Sequence, residues 1–328
     1  MAGGQERVLR RRIRSINQTK KITGAMELIA ASRIVRAQQR VAAARPYSES
    51  ITEVIRNLAA GGAGTSHALL RQPDDIGTVA YVVITADRGL CGAYNNNVVR
   101  AAERAMRRQQ ADGRQTRLYV VGRKGLNYFR FRGWTVAAGF VGVTDRPTYE
   151  RAREIGEVVA AAFNDAAVDT VEVVYTQFLS AGSQRVVTRR FMPLDAEALT
   201  GPEGAGPLYE FEPGPGQILE HLLPRYVEAR LFAALLEASA SQHAAQQRAM
   251  KAATDNAEDL IVSLSRIMNR ARQDAITTEI MEIVGGAEAL RRSRAAAAGV
   301  EPDLLLDQTT PGHLFEIRER RRQRGHRA

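Results

Sequence analysis

The spacing of apolar side chains changes along this chain and divides it into three parts. Between Gln5 and Arg45, apolar and small residues recur mostly every three or four positions, close to the period of a coiled-coil seam, and the other faces are basic. Residues 225–284 contain neither Gly nor Pro and are dominated by strong helix formers. As one helix this stretch would be about 90 Å long, which is longer than a compact domain of this size is wide. The pattern therefore predicts two long terminal helices that pair antiparallel.

The middle of the chain has the shorter apolar runs that are typical of a sheet. The predicted strands are 78–85, 117–122, 134–140, 170–178 and 185–191. Helical stretches lie between several of them, one ending at Arg107 and one spanning 147–163. Strands that alternate with helices indicate a mostly parallel α/β sheet. An α/β domain is therefore predicted to be inserted between the two terminal helices.

Breaks in this pattern predict the domain boundaries. The predicted segments are an N-terminal coiled-coil helix over 1–60, an α/β domain over 75–194, an acidic linker rich in Pro and Gly over 195–216, a long C-terminal coiled-coil helix over 217–290 and a basic, disordered tail over 291–328. Pro46 is expected to kink or end the first helical segment, and the glycine-rich stretch 61–66 is expected to break the helix. Gly285 and Gly286 are expected to stop the last helix.

The chain of 328 residues carries a net charge of +10, and the positive charge lies mostly at its two ends. Residues 1–45 hold 11 Lys and Arg against two acids, and residues 291–328 hold nine Arg against five acids. Such basic ends could bind nucleic acid, an anionic membrane surface or an acidic protein. The basic first helix lacks the interleaved aromatic residues of nucleic-acid binders, so a solvated or protein-facing surface is favoured. We expect no membrane span, because no apolar run approaches the roughly 20 residues that one requires.

The motif DRGLCG at 87–92 leaves a predicted strand towards a helix, where phosphate-binding loops often lie. It lacks both the GxGxxG spacing and the GxxxxGK[ST] pattern, so a tight turn held by a salt bridge or a turn hydrogen bond is favoured over a nucleotide site. The predicted turn residues are Asp87, Arg88, Gly89, Cys91 and Gly92. The single cysteine belongs to no motif with a histidine, and no metal-ligand spacing occurs. We therefore predict neither catalytic residues nor a cofactor.

Three longer segments resemble one known family. They are IRSINQTKKITGAMELIAASRIVRAQ (13–38), ITADRGLCGAYN (84–95) and MKAATDNAEDLIVSLSRIMNRARQDAITTEIMEIVGGAEAL (250–290). In this order they are similar to the gamma subunit of the F-type ATP synthase, and the similarity extends from the N-terminus to about Leu290. The segments LLPRY and VGRKGLNYF look most like those of actinobacterial members.

The resemblance implies a mixed α+β and α/β fold, with a long antiparallel coiled coil of the N- and C-terminal helices and an inserted Rossmann-like α/β domain. In this family the coiled coil turns inside a ring of alternating alpha and beta subunits. The α/β domain stands with the epsilon subunit on the membrane-embedded ring of c subunits, and proton flow is coupled to ATP synthesis or hydrolysis on beta. The resemblance thus implies a non-catalytic rotor subunit without a cofactor, bound peripherally on the cytoplasmic side of the cell membrane.

The resemblance also implies a rotor–stator contact region, in which polar and charged side chains meet acidic loops of beta. The matching residues are Lys20, Lys21, Met26, Arg272, Gln273, Thr277, Glu279 and Glu282. Two positions depart from the family pattern. Gly24 stands where many members have Lys, and Gln246 stands where many have Arg.

The residues alone are also compatible with two other classes of protein. A nucleotide-dependent enzyme built on the α/β domain should bind a nucleotide in isolation, whereas the resemblance predicts that this chain does not. A coiled-coil protein that binds nucleic acid should show a steep salt dependence on duplex DNA.

Overall fold

The computed structural model describes residues 2–60, 67–73, 75–194 and 211–297. The helices are α1 (Ala2–Ala60), α2 (Tyr94–Ala111), α3 (Arg123–Phe131), α4 (Tyr149–Asn164) and α5 (Pro215–Ala297), and a short 3₁₀ helix spans Ala68–Leu70. The strands are β1 (Thr78–Ile84), β2 (Gln115–Val121), β3 (Val136–Phe140), β4 (Thr170–Phe178) and β5 (Gln184–Met192). The chain divides into two compact units. The larger unit is Ile16–Leu260, and the described part of the smaller unit is 2–15 with 261–297.

The five strands form one sheet in the larger unit, in the order β3-β2-β1-β4-β5. The first four are parallel to their neighbours, and β5 runs antiparallel to β4. In β1 every residue after Thr78 is buried, as expected for a Val- and Ile-rich strand that is covered on both faces. The mostly parallel α/β sheet predicted from the sequence is therefore confirmed, and its strand ends differ from the prediction by two residues at most.

Alternate strand residues point into two hydrophobic cores, one on each face of the sheet. Val79 and Val83 of β1 pack in a cluster with residues of α2 and α3. Ala80 and Val82 pack in a larger cluster with residues of α1, α4 and α5. This period of two is the geometry of an extended strand. The second core fastens the α/β domain to both terminal helices.

Within the larger unit, α1 and α5 pair antiparallel. The hydroxyls of Thr23 and Thr254 share a hydrogen bond of 2.8 Å, and Lys20 Nζ lies 3.1 Å from Glu258 Oε1. The lower number on α1 meets the higher number on α5, so the helices run in opposite directions. Small buried residues let helix axes approach closely, and Ala30, Ala37, Ala240 and Ala244 are all buried. The predicted antiparallel coiled coil is confirmed in this unit.

Pro46 lies inside α1 and does not end it. A proline in a helix interior removes one backbone hydrogen bond and costs about 3 kcal/mol. The turns that follow are held by the larger core, in which Ile51, Ile55 and Leu58 are buried. Burial of a large aliphatic side chain contributes about 1.5–3 kcal/mol, so three of them outweigh the cost of the proline. The expected break at 61–66 lies outside the described residues.

The prediction that Gly285 and Gly286 stop the last helix is wrong, because α5 runs through both and reaches Ala297. A glycine in a helix costs about 1 kcal/mol relative to Ala, and it ends a helix only where it adopts a left-handed conformation. The sequence after these glycines, AEALRRSRAAA, is rich in strong helix formers. Residues 291–297 are thus helical, and the rest of the predicted tail lies outside the described residues.

The start of α5 and one further helix also differ from the sequence-based boundaries. The helix begins at Pro215, inside the segment predicted as a linker over 195–216, of which 195–210 lies outside the described residues. The sequence analysis assigned no helix to 123–131, where the structure has α3. That helix buries Leu126 and Phe129, which are three positions apart on one face.

Candidate functional site

Asp87 joins the carboxyl ends of three neighbouring strands. Its Oδ1 accepts hydrogen bonds from the backbone N–H groups of Arg123 at 3.1 Å and Gly142 at 2.9 Å. Its Oδ2 accepts from the backbone N–H and from the hydroxyl of Thr144, both at 3.0 Å. Burial alone would raise the pKa of this carboxyl, but the hydrogen bonds from these three residues hold it below its usual value. The carboxylate of Asp87 is therefore engaged by N–H groups at the start of α3 and in the loop after β3.

The rest of the DRGLCG loop is shaped by backbone conformation and burial. Leu90 and Gly92 have positive φ values of 63° and 57°, which favour glycine at the second position. Cys91 is buried, and Asn95 Nδ2 donates to its sulfur at 3.2 Å. Burial raises the pKa of the Cys91 thiol, and a thiol that stays protonated is a poor nucleophile. These contacts favour the turn over a reactive site.

Arg88 links this loop to the helix α5. Its Nε lies 2.8 Å from Asp145 Oδ2, and Gln242 Nε2 donates to Asp145 Oδ1 at 3.1 Å. His243 Nε2 lies 3.4 Å from the Asp145 carbonyl oxygen. Burial lowers the pKa of His243, although Asp145 raises it in part. The loops after β1 and β3 are thus tied to one turn of α5, so the sheet and this helix are held together by polar contacts as well as by the core.

A concave site next to this loop was missed by the sequence analysis. A cleft of 610 Å³ is lined by residues of α1, of α5, of the loops after β1 and β3, and of the start of α3. Six arginines line it, and we call it the arginine cleft: Arg33, Arg36, Arg40, Arg88, Arg123 and Arg146. Three of them recur at the i, i+3, i+7 spacing of one helix face, which was the only signal of the cleft in the sequence.

The predicted contact residues of α1 lie in the larger unit. Lys20 is half-buried and pairs with Glu258 of α5, so part of its charge is neutralised inside the coiled coil. Lys21 is exposed, and Met26 is half-buried. The neighbouring Ile22 and Leu28 are 61% and 73% exposed. This part of α1 therefore presents the exposed Lys21 and an unusual amount of apolar surface.

The other predicted contact residues lie on α5 in the smaller unit. All are exposed: Arg272, Gln273, Thr277, Glu279 and Glu282. The Thr277 hydroxyl donates to the Gln273 carbonyl oxygen at 3.0 Å, so it is partly engaged within the helix. The structure thus distributes the eight predicted contact residues over both compact units.

The same part of α5 exposes apolar side chains that the sequence analysis did not single out. Ile276, Ile280, Met281, Ile283, Val284 and Leu290 are between 45% and 72% exposed. Several exposed apolar side chains close together on one helix are typical of a surface that binds a protein or a membrane. The signal in the sequence was the run of large aliphatic residues around Glu279 and Glu282.

The described residues hold no group of three or more His, Cys, Asp or Glu side chains that could bind a metal ion. None of the helices within those ranges is both long and apolar enough to cross a bilayer.

In the larger unit two antiparallel helices carry the α/β domain, which defines the class of proteins in which an α/β domain is inserted between paired terminal helices. Residues 5–290 match the protein family described as ATP synthase. The chain is 51% identical over 293 residues to the ATP synthase gamma chain of Frankia casuarinae, and the match covers 88% of this chain and 98% of that one. The chain belongs to the ATP synthase gamma chain family, so the resemblance read from the sequence is confirmed.

A second relative agrees with this assignment, and solved structures share the fold. The gamma chain of Streptomyces coelicolor is 46% identical over 303 residues, with 90% of this chain and 99% of that one covered. A cryo-EM structure of the Euglena gracilis mitochondrial ATP synthase contains a chain with a TM-score of 0.65 and 19% identity, and the match covers 92% of this chain and 98% of that one. A cryo-EM structure of the central stalk and c-ring of the Tetrahymena thermophila mitochondrial ATP synthase contains a chain with a TM-score of 0.55 and 24% identity. That match covers 71% of this chain and 99% of that one. At these identities the structural likeness concerns the fold.

Proposed function

We propose that this chain is the central-stalk rotor subunit of an F-type ATP synthase. It couples proton flow through the membrane sector to ATP synthesis or hydrolysis on the beta subunits by rotating inside the alpha/beta ring. The observation that carries the proposal is the match of curated gamma chains, at 45–51% identity, to nearly nine tenths of this chain. Its partners are the alpha, beta and epsilon subunits and the ring of c subunits.

The chain's part in this mechanism is to transmit torque between its α/β domain and its helices. Torque applied to the sheet reaches α1 and α5 through the shared hydrophobic core. It also reaches α5 through the ion pair of Arg88 with Asp145 and the hydrogen bond from Gln242. The hydrogen bonds of Asp87 keep the three strand ends at this junction in register. A rotor needs a stiff junction, because a junction that deforms under torque would not transmit rotation from the α/β domain to α1 and α5.

The rotor–stator contacts are made by side chains that are mostly exposed and can exchange partners at low cost, whereas Lys20 and Met26 are half-buried. They comprise Lys20, Lys21 and Met26 on α1 and Arg272, Gln273, Thr277, Glu279 and Glu282 on α5. An exposed ion pair contributes only about 0–1 kcal/mol, so contacts of this kind with acidic loops of beta do not trap the rotor at one angle. The exposed aliphatic residues of α5 add surface that the alpha/beta ring covers.

The chain itself performs no chemistry in this proposal. Catalysis takes place on beta, and this subunit drives each beta site through its affinity states. The buried thiol of Cys91 and the engaged carboxylate of Asp87 support a structural role for the DRGLCG loop. In the cell the chain is held peripherally at the cytoplasmic side of the membrane, through the complex.

Purification of a tagged chain from the membranes of its own cells tests the function. We expect alpha, beta, epsilon and c subunits to purify with it and the complex to hydrolyse ATP. Recovery of a free chain that turns over a nucleotide would favour an enzyme built on the α/β domain. Recovery with nucleic acid, and a steep salt dependence on duplex DNA, would favour the second rival class.

The contact residues are tested by reversal of one charge. Arg272→Glu should lower ATP synthesis by membranes severalfold while the amount of assembled complex stays unchanged. The matched control is Arg104→Glu, since Arg104 is an exposed arginine of α2 in the α/β domain. Equal activities in the two variants would remove Arg272 from the contact region and leave the rotor function standing.

A further inference from the structure

The arginine cleft lies at the carboxyl ends of the parallel strands. Open α/β sheets bind their ligands in the crevice outside this edge. The cleft's walls come from separate parts of the chain: Arg33 and Arg40 from α1, Arg123 from the start of α3, and Arg146 from the loop after β3. Like charges from separate elements repel one another, so their convergence in one concave site is destabilising unless an anion joins them.

The acidic side chains of the cleft do not neutralise it. Among the described residues, Asp87 and Asp145 are the acids that line it. The carboxylate of Asp87 accepts its hydrogen bonds from Arg123, Gly142 and Thr144, and Asp145 pairs with Arg88 and Gln242. Six arginines face two carboxylates, which leaves an excess of four positive charges.

Most of the arginines have no carboxylate partner. Arg88 pairs with Asp145, and Arg36 donates to the hydroxyl of Ser32 at 3.1 Å. Within the part of the chain that the structure describes, four side chains of the cleft form no ion pair: Arg33, Arg40, Arg123 and Arg146. Their guanidinium groups are therefore available to a ligand.

We propose that the arginine cleft binds a small soluble anion with at least two linked phosphate groups, of the class of inorganic pyrophosphate and the polyphosphate of a nucleotide. A guanidinium group binds phosphate through two parallel hydrogen bonds, and a positive cleft raises the local concentration of anions. Within the described residues the lining holds no Phe, Tyr or Trp on which a base could stack, and the imidazole of His243 is buried beside the Asp145 carbonyl oxygen. The cleft therefore recognises phosphates and does not select a base.

The shape of the cleft favours a small anion over an acidic protein segment. A volume of 610 Å³ falls within the range of about 300–1,000 Å³ that is usual for small-molecule sites. The half-buried Arg33 and Arg40 line the cleft together with the exposed Arg36, Arg88, Arg123 and Arg146, whereas an acidic loop or helix needs cations spread over an open surface. Cations that fit such a partner lie on the helices outside the cleft, like Lys21 and Arg272.

This inference goes beyond the rotor function and revises one expectation from the sequence. The resemblance predicted that the isolated chain binds no nucleotide, and the DRGLCG loop lacks a phosphate-binding pattern. The arginine cleft is a separate site beside it. Bound polyphosphate would add electrostatic links between α1 and the α/β domain, and so would stiffen this junction of the shaft.

The test is a calorimetric titration of the full-length chain with inorganic pyrophosphate, at low and at high ionic strength. We expect one saturable site, with an affinity that falls as salt rises. Arg33→Gln/Arg40→Gln should weaken binding by about tenfold or more, because two bidentate contacts are lost. The matched control is Arg104→Gln/Arg108→Gln, which removes the same charge from α2 outside the cleft. Circular dichroism of both variants checks that their helix content is retained.

A second readout uses the assembled complex. Pyrophosphate should protect Arg33 and Arg40 from modification by phenylglyoxal, measured peptide by peptide, and should leave Arg104 unprotected. Equal weakening in the two double variants, or equal protection of all three arginines, would show that binding follows net charge and would overturn the proposal. One-to-one binding of a glutamate-rich peptide without any binding of pyrophosphate would overturn it in favour of a protein partner. Either failure leaves the rotor function untouched, since assembly is measured separately.

Discussion

Replacement of Asp87 by Asn tests the hydrogen bonds that join the three strand ends of the α/β domain. The carboxylate accepts four hydrogen bonds, three of them from backbone N–H groups. An asparagine side chain has one oxygen that can accept hydrogen bonds. Its NH₂ group replaces the second oxygen and faces the N–H or O–H groups that donated to it. The variant therefore keeps the size of the side chain and loses the charge and about half of the accepting capacity.

The expected loss of stability follows from these contacts. A hydrogen bond to a charged group contributes about 1.5–3 kcal/mol, but contributions within one cluster do not add, and Asp87 is half-buried. We expect Asp87→Asn to lower the free energy of unfolding of the α/β domain by about 2–4 kcal/mol near neutral pH. The control is Asp112→Asn, because Asp112 is an exposed aspartate at the end of α2.

The single tryptophan, Trp134, is half-buried in the α/β domain and reports its unfolding in urea. The pKa of Asp87 is lower in the folded than in the unfolded chain. Its stabilisation is therefore present above the unfolded pKa of about 3.9 and is lost as the pH falls through the folded pKa. The difference between wild type and Asp87→Asn should shrink in acid. A difference below about 0.5 kcal/mol near neutral pH, or one that does not change in acid, would refute this role for Asp87.

Three further predictions concern the shaft, the turn and the tail. Ala253→Pro places a proline in the interior of α5 and should cost about 3 kcal/mol or more, so membranes carrying it should make no ATP; normal synthesis would contradict a rigid shaft. Gly92→Val forces a β-branched residue to a φ of 57° and should lower the melting temperature, whereas Cys91→Ser should leave ATP synthesis near normal; a large loss in Cys91→Ser with intact assembly would show that the thiol acts. Truncation after Ala297 should leave assembly and coupled synthesis intact, which gel filtration and ATP assays check, and a failure to assemble would make the tail structural.

The sheet and the terminal helices were predictable because each depends on local pattern. Residues 78–84 form an uninterrupted buried strand, as the apolar run there indicates. The Gly/Pro-free stretch 225–284 lies wholly within α5. By contrast, α3 was missed because RKGLNYFRF is only nine residues long and begins with charged residues and a glycine. Its helicity depends on Leu126 and Phe129, which the sheet core buries.

The contacts of the candidate sites depend on residues far apart in the sequence. The donors to Asp87 belong to residues 36 to 57 positions away. No local rule specifies them, because they meet only when three strand ends lie side by side. The same holds for the arginine cleft. The helical spacing of Arg33, Arg36 and Arg40 can be recognised in the sequence, but the sequence does not predict that Arg123 and Arg146 lie beside them. The end of α5 was predicted too early, because the prediction relied on Gly285 and Gly286 and did not take account of the helix-forming residues that follow them.

The central claim is that this chain rotates within its complex, and a single-molecule assay tests it directly. The purified alpha/beta/gamma/epsilon complex is fixed to a surface through beta, and a gold nanorod is attached to a cysteine introduced at exposed Asp112, with Cys91 replaced by Ser. We predict stepwise rotation of the rod in one direction while ATP is supplied, and no rotation without it. A rod that stays fixed while the same molecules hydrolyse ATP at the full rate would contradict the account.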